Sequence, residues 1–483
     1  MKFSTYNKFV SHGDAFLYFN QISGSLIRVN HKTKKRIENV FTTSNTQNLQ
    51  KKLYELGFLI DEDRDEFQEM HAAFQQRKNN PRTKSLAVTV TDQCNLACGY
   101  CYEEKKEWKK MDRSVQDDLI KFSDRFLESP TDELSITWYG GEPTLNMKAV
   151  KRLASYFREK AAKRFFSLQQ FMITNGTNLT KNICQILLEN EIRDLQITVD
   201  GNRKNHDVSR PFLKDIDYAS ASDIHKRQYE KLKKQTALQI LDQTPQKKKT
   251  SSFDKIYEGL TRFVGMGGNV SLRMNVHEHS FDTIFETFHK LLRDGMLLPN
   301  KNGGCVFAYA HPIFESDNYT SGCNGCPTAA MSQSRFAERV DEIRQWHHHH
   351  GIPYKDSSAQ MSFSGGTCIA NQKYGYVVNP DGSLTKCTHD IARPDKVVGH
   401  INDVYDFDDH PLPDTGRVHD FDPFEDEECS KCEILPLCCG GCKIVNDVGS
   451  RNTSYENGCS TTRFNFEDDI RHMYSVQKMS NPV

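Results

Sequence analysis

The sequence has no run of about 18 apolar residues, which excludes a membrane-spanning helix. Its first residues, Met-Lys-Phe-Ser-Thr-Tyr-Asn, lack the apolar core of a secretory signal, so a cytoplasmic location is expected. Neither sign of charge is in excess: 63 Lys+Arg against 64 Asp+Glu. Without a basic field there is nothing to draw nucleic acid. Cysteine, by contrast, is abundant, at fifteen residues. In a chain without a secretory signal this points to metal or redox chemistry rather than to a disulfide framework. The 483 residues suffice for roughly three domains of ~150 residues.

Residues 89–102, Thr-Val-Thr-Asp-Gln-Cys-Asn-Leu-Ala-Cys-Gly-Tyr-Cys-Tyr, carry Cys94, Cys98 and Cys101 as C-x3-C-x2-C. The alternating run Leu86-Ala-Val-Thr-Val reads as a strand feeding a loop. Three thiolates on one loop suit three irons of a four-iron cube. Such clusters normally take four cysteines, so something else must complete the fourth iron. A zinc knuckle or three unrelated buried thiols are the other readings of this spacing. With Tyr102 following, the pattern resembles that of the radical S-adenosylmethionine (SAM) enzymes. The resemblance implies a [4Fe-4S] cluster whose open iron is chelated by SAM, with one electron passed to the sulfonium to release a 5′-deoxyadenosyl radical.

From residue 84 the rhythm is strand then helix, with strands expected at 85–90, 134–139, 169–174, 194–199, 270–276 and 304–309. A helix is expected at 148–159, with Val150, Leu153, Tyr156 and Phe157 on one face. The fold class is therefore α/β, a partial (β/α)6 barrel with right-handed crossovers, in which chemistry gathers at the C-terminal strand ends. Trp138-Tyr-Gly-Gly-Glu-Pro follows the second strand. Read alone, it is an ordinary turn. One strand after the cysteine loop, it resembles the family's GGEP motif, which implies that Gly140, Gly141 and Glu142 hold the SAM amine. The third strand ends in Thr174-Asn175-Gly-Thr and the fourth in Thr198-Val-Asp200-Gly, followed by His206-Asp207-Val-Ser-Arg210. The resemblance implies SAM contacts at Asn175 and Asp200, although an Asp-Gly pair also simply forms turns. Arg273 on the fifth strand resembles the arginine that meets the SAM carboxylate; it also reads as a strand-end surface charge.

Residues 1–83 read as a small winged-helix-like α+β module. Phe16-Leu-Tyr-Phe-Asn and Ser25-Leu-Ile-Arg-Val-Asn are strand-like, and residues 48–60 have near-helical spacing before Gly57. This module resembles the RiPP recognition element, which grips a leader peptide by adding a strand; otherwise it is a packing subdomain. Residues 61–83 read as a charged linker. The lysine-rich insertion between Arg210 and Phe253 reads as a solvated lid, the run 332–346 as a helix, and His347–His350 as its solvated end.

Downstream, Cys368 precedes Gly382-x4-Cys387, then Cys429-x2-Cys432-x5-Cys438-x3-Cys442, then Cys459. Asn379-Pro-Asp-Gly382 marks a hairpin turn. The seven-cysteine pattern resembles the SPASM extension of radical SAM peptide maturases, with paired zinc sites as the rival reading. The resemblance implies two auxiliary [4Fe-4S] clusters: one on Cys429, Cys432, Cys438 and Cys459, the other on Cys368, Cys387 and Cys442. The second set is one ligand short, since Ser362, Ser364 and Thr367 stand where relatives have a cysteine. Cys323 or Cys326 completes it, or an iron stays open to a substrate thiolate. Cys439 is extra to the pattern, Cys184 reads as core, and Cys305 as buried in the sixth strand. The expected segments are 1–83, a barrel at 84–330, a bridging helix and linker at 331–367, a SPASM domain at 368–465, and a tail at 466–483.

The expected function is radical modification of a ribosomally made peptide or protein, forming a thioether or carbon–carbon cross-link, with a flavodoxin- or ferredoxin-type electron donor. Anaerobic sulfatase maturation, which makes formylglycine, is the alternative. Cys387-Thr-His389-Asp390 lacks the acid directly after the cysteine that such relatives carry, leaving His389 or Asp390 as the base. A non-catalytic zinc-stabilised binding protein is the third reading. Anaerobically prepared protein should be brown and carry about twelve irons for three four-iron sites; colourless protein with stoichiometric zinc by metal analysis would remove the enzyme reading.

Overall fold

The computed structural model describes residues 1–103, 106–216, 218–219, 221, 223–236, 250–313, 331–354, 361–366, 368–403, 421–442 and 459–480. Two compact units result. One comprises 80–331 with 369–420; the other comprises 1–79, 332–368 and 421–483. No described helix is long and apolar enough to cross a membrane.

The first unit is built on one sheet. Its strands are β1 (Thr83–Thr89), β2 (Glu133–Tyr139), β3 (Ser167–Thr174), β4 (Asp194–Thr198), β5 (Asn269–Val276), β6 (Val306–Pro312), β7 (Gly375–Val378), β8 (Ser383–Thr385) and β9 (Gly399–His400). Their order is β6-β5-β4-β3-β2-β1-β7-β8-β9. Strands β1 to β6 run parallel. The crossovers carry α1 (Arg113–Phe126), α2 (Met147–Arg164), α3 (Lys181–Glu189), α4 (Arg203–Ser209), α5 (Asp223–Thr236), α6 (Ser252–Gly265) and α7 (Ile284–Arg293). This is the α/β barrel-type sheet expected from the strand–helix rhythm. β7 adds parallel to β1 and turns through Gly382 into antiparallel β8, so the hairpin that leads to Cys387 extends the same sheet.

Local chemistry explains the helices. In α2, Val150, Leu153 and Phe157 are buried at helical spacing, while Tyr156 turns its hydroxyl to Asp124 at 2.8 Å. Asp112 caps the N–H of Val115 at the start of α1. At its other end the fully buried Lys84 donates to the carbonyl of Phe126 at 2.6 Å and to Ser129 Oγ at 2.8 Å. That satisfies a helix C-terminus with a cation.

In the second unit, Asn7–His12, Ala15–Asn20 and Leu26–Val29 form an antiparallel meander, followed by helices His31–Glu38, Gln47–Glu55 and Glu66–Lys78. One cluster of its core joins Val10, Leu17 and Phe19 to Phe466, Ile470 and Met473, on the helix Thr462–Ser480. The segment read as a tail is thus mostly helix, and it supplies core to the N-terminal strands.

Several expectations need correction. The charged stretch 61–83 contains the helix Glu66–Lys78, which buries Met70 and Phe74; so narrow an apolar stripe is hard to see in a polar sequence. The sixth strand lies later than expected, leaving Cys305 ahead of it and only half-buried. His347 is buried, with Nδ1 at 2.9 Å from the carbonyl of Ile343, so the histidine run is not wholly solvated. Within the insertion, α5 buries Gln228 and Lys231 Nζ donates to the carbonyl of Lys106 at 3.4 Å. Lys247–Lys249, Cys323, Cys326 and Thr367 lie outside the described residues.

Ile470 has no exposed surface. Ile470→Ala should destabilise the unit holding the N-terminal strands by about 2–5 kcal/mol, seen as a lower midpoint in chemical denaturation.

Candidate functional site

The loop that leaves the C-terminal end of β1 is fixed at both ends. The buried Asp92 carboxylate accepts the backbone N–H of Glu107 at 2.7 Å and of Lys109 at 2.5 Å. Gln93 Nε2 donates to the carbonyl of Trp108 at 2.8 Å. Between these straps the loop pairs with residues 209–213. Ala97 N–H donates to Pro211 O at 2.9 Å, Gly99 N–H to Ser209 O at 3.1 Å, and Leu213 N–H to Asn95 O at 2.9 Å. Cys94 is buried, and Cys98 and Cys101 are half-buried. Asn175 Nδ2 lies 3.7 Å from Cys94 Sγ, and Lys106 Nζ lies 3.6 Å from Cys101 Sγ. Burial pushes the Cys98 thiol up to about 12, and the Arg210 guanidinium is the first influence opposing it.

Gly140 and Gly141 serve this loop directly. A Cβ on Gly140 would lie 2.1 Å from the carbonyl oxygen of Thr91; one on Gly141 would lie 2.4 Å from that of Gln93 and 2.5 Å from that of Asp92. Gly141 N–H donates to Thr91 O at 3.0 Å and Glu142 N–H to Gln93 O at 2.7 Å. The close approach that the two glycines permit is to the cysteine loop's own backbone. Glu142 is wholly buried. Its Oε1 accepts from the Thr144 N–H (3.0 Å) and from the hydroxyls of Thr144 (2.5 Å) and Thr174 (2.7 Å), and Oε2 from the Asn175 N–H (2.6 Å). The carboxylate therefore ties the end of β2 to the end of β3. Burial raises its pKa against the pull of those four donors.

Asp200 also faces inward. Its Oδ2 accepts from the Tyr100 hydroxyl at 2.6 Å and from Ser209 Oγ at 2.8 Å. The Tyr100 oxygen accepts in turn from Arg210 Nη1 at 2.8 Å and Asn275 Nδ2 at 3.0 Å. His206 Nδ1 accepts the Asp200 N–H at 3.1 Å, and Asp207 Oδ1 accepts the Phe253 N–H at 3.0 Å, so both shape the loop. Arg273, on β5, donates from Nε to Asn275 Oδ1 at 2.8 Å. At the β1–β7 end of the sheet, His389 stacks on Tyr102, with ring centroids 4.2 Å apart, and the Tyr102 hydroxyl meets that of Tyr139. Asp92 and Tyr100 were not singled out from the sequence. Tyr100 lies inside the cysteine motif, which was the one available signal; nothing distinguished Asp92.

The later cysteines divide between the units. In the second unit, Cys438 is within electrostatic reach of Cys429, Cys432 and Cys459, and Cys429 of Cys459, and Arg463 Nη1 lies 2.7 Å from Cys459 Sγ. Cys368 and Cys442 are exposed in that same unit. Cys439 is buried there, and a Cβ on Gly366 would lie 3.6 Å from its sulfur. Cys387 belongs to the first unit, where its sulfur accepts the His389 N–H at 3.4 Å.

Among the described residues, the one group of three metal-ligating side chains whose ligand atoms lie within 4.8 Å of one another is His71, Asp422 and Glu425. One tetrahedral zinc with Zn–S of about 2.3 Å would draw its thiolates to ~3.8 Å of one another. Three soft donors on one backbone-braced loop, with buried cations beside two of them, fit a larger iron–sulfur group instead. Gly141→Ala should displace the loop and cost the first site its iron, lowering total iron from about twelve to about eight per chain by metal analysis while the later cysteines stay loaded.

Residues 88–292 match the family model of the radical SAM superfamily. The chain is 34% identical over 138 residues to a serine-type anaerobic sulfatase-maturating enzyme of Bacteroides thetaiotaomicron, covering 27% of this chain and 33% of that one. It is 22% identical over 385 residues to a cysteine-type anaerobic sulfatase-maturating enzyme of Clostridium perfringens, covering 76% and 90%. The first curated relatives it matches are spanned over only 33% to 43% of their length. Among solved structures, anSMEcpe with bound AdoMet and Cp18Cys peptide superposes with a TM-score of 0.51 at 17% identity, covering 82% of this chain and 98% of that one. Streptococcus suis SuiB bound to S-adenosylmethionine gives 0.51 at 13% identity, covering 94% and 98%. Residues 88–292 are therefore a radical SAM domain.

Proposed function

We propose that this chain is a radical SAM maturase that modifies a side chain of a ribosomally made peptide or protein. One observation carries the reading: the cysteine loop, the Gly140–Glu142 turn, Asn175 and Asp200 meet at the C-terminal ends of parallel strands in a radical SAM domain. When bound, a [4Fe-4S] cluster and SAM together supply a 5′-deoxyadenosyl radical able to take hydrogen from an unactivated carbon. Cys94, Cys98 and Cys101 would hold that cluster. Arg273 offers guanidinium donors suited to the SAM carboxylate. The Gly140–Glu142 turn in this reading braces the cysteine loop, because the Glu142 carboxylate is engaged by four internal donors and the N–H groups of Gly141 and Glu142 by Thr91 and Gln93. Asp200 in this reading orients Tyr100 rather than a ribose. The later cysteines would hold two auxiliary clusters that accept an electron or bind substrate, one of them on Cys429, Cys432, Cys438 and Cys459.

The peptide class of substrate is supported by the names and bound ligands of the relatives. The N-terminal meander supports a leader-binding role: Leu26–Val29 pairs only with Ala15–Asn20 among the described residues, leaving an edge to which an extended peptide can add. The product is a thioether or carbon–carbon cross-link. Formylglycine formation is the second reading, favoured by the sulfatase-maturating relatives and by His389, which burial holds below its usual pKa and hence neutral, as a base must be.

Replacing Cys94, Cys98 and Cys101 together by alanine should reduce 5′-deoxyadenosine formation to background while about eight auxiliary irons remain; continued SAM cleavage would refute the assignment. With a peptide encoded beside the gene, a product lighter by two hydrogens and unreactive to hydrazide identifies a cross-link, and a hydrazide-reactive aldehyde identifies formylglycine.

A further inference from the structure

Cys98 faces a buried arginine. The hydrogen bonds of Ala97 to Pro211, Gly99 to Ser209 and Leu213 to Asn95, with Leu96 bridged to Phe212, set one antiparallel register. In that register residue 98 stands directly opposite residue 210, and opposed residues project to the same side. Tyr100, two residues on, projects the same way and receives Arg210 Nη1 at 2.8 Å. Arg210 is 7% exposed. Its Nε–H is buried without an acceptor among the described residues. An unmet guanidinium donor in so dry a place is costly, and a buried charge needs an opposite one. Asp200 answers only in part, since its carboxylate reaches the guanidinium through the Tyr100 hydroxyl.

We propose that Arg210 is a positioning residue for the iron–sulfur group of the first cysteine loop: its buried charge, set opposite Cys98, favours the reduced cluster. This rests on the reading of Cys94, Cys98 and Cys101 given above. A four-iron cluster on three thiolates takes up one electron and no proton on reduction, so its negative charge grows by one. A fixed buried cation stabilises the more negative state more strongly. Charge and hydrogen bonds at the sulfurs are among the factors that set iron–sulfur potentials. Lys106, beside Cys101, adds a second cation on the other flank.

The test is a dithionite redox titration of anaerobic, iron-loaded protein, following by electron paramagnetic resonance the signal that changes when SAM is added. In Arg210→Met the oxidised-to-reduced ratio at a fixed solution potential should rise at least tenfold, about 59 mV for a one-electron couple. Arg210→Lys should restore most of that shift. If Arg210→Met does not hold iron, Arg210→Gln is titrated in its place. An unchanged midpoint in the neutral variant that retains iron overturns the proposal. So does an Arg210→Lys protein that shifts as far as the neutral variant or fails to load iron, because shape rather than charge would then be what the site requires. If the unmodified protein has no SAM-responsive signal, the reading of the cysteine loop fails instead.

Discussion

Main-chain hydrogen bonds hold the cysteine loop, and the rest of this end of the sheet is arranged around them. Buried N–H and C=O groups must find partners, and a loop lacks the ladder that would supply them. Here the neighbouring loops do so. Thr91 and Gln93 accept from Gly141 and Glu142, and residues 95–99 pair with 209–213. The first of these contacts is close enough to exclude a Cβ at either glycine of the turn. The Gly-Gly pair is therefore a condition for the cysteines' placement before it is a condition for any ligand.

Buried polar side chains complete the frame. Glu142 joins two strand ends through four donors, Asp92 closes the base of the loop, and Asp200, Tyr100 and Arg210 form a relay behind it. Burial opposes ionisation of each carboxyl, and the donors around each one offset that. Breaking one partner of such a group costs about 3–5 kcal/mol when a charge is left unpaired, so these residues hold the site rigid. In the proposed function that rigidity would let a reactive radical meet one hydrogen and not its neighbours, since orientation is what a protein adds to chemistry of that kind.

In the second unit the N-terminal strands share their core with the helix Thr462–Ser480. A further cluster joins Met70 and Phe74 to Phe424 and Leu435, with Cys429 packed against it. The strands that resemble a leader-binding module and the cysteine-rich segment near Cys429 to Cys438 thus belong to one hydrophobic interior rather than to two domains joined by a linker. The expected linker is itself a helix in that interior.

What the sequence determined by itself was whatever is written in short-range patterns. Alternating and continuous apolar runs located all six parallel strands, the spacing of Cys94, Cys98 and Cys101 announced a three-thiol loop, and Asn379 to Gly382 announced the hairpin before Cys387. Such signals survive because period and spacing act over a few residues. Only the tertiary structure decided which partners these residues take. It turned Glu142 and Asp200 inward, set Arg210 opposite Cys98, laid His389 on Tyr102, and drew residues 462–480 into the core of the first eighty. Those outcomes depend on contacts between segments tens to hundreds of residues apart, where burial and hydrogen-bond satisfaction of the whole unit outweigh local preference.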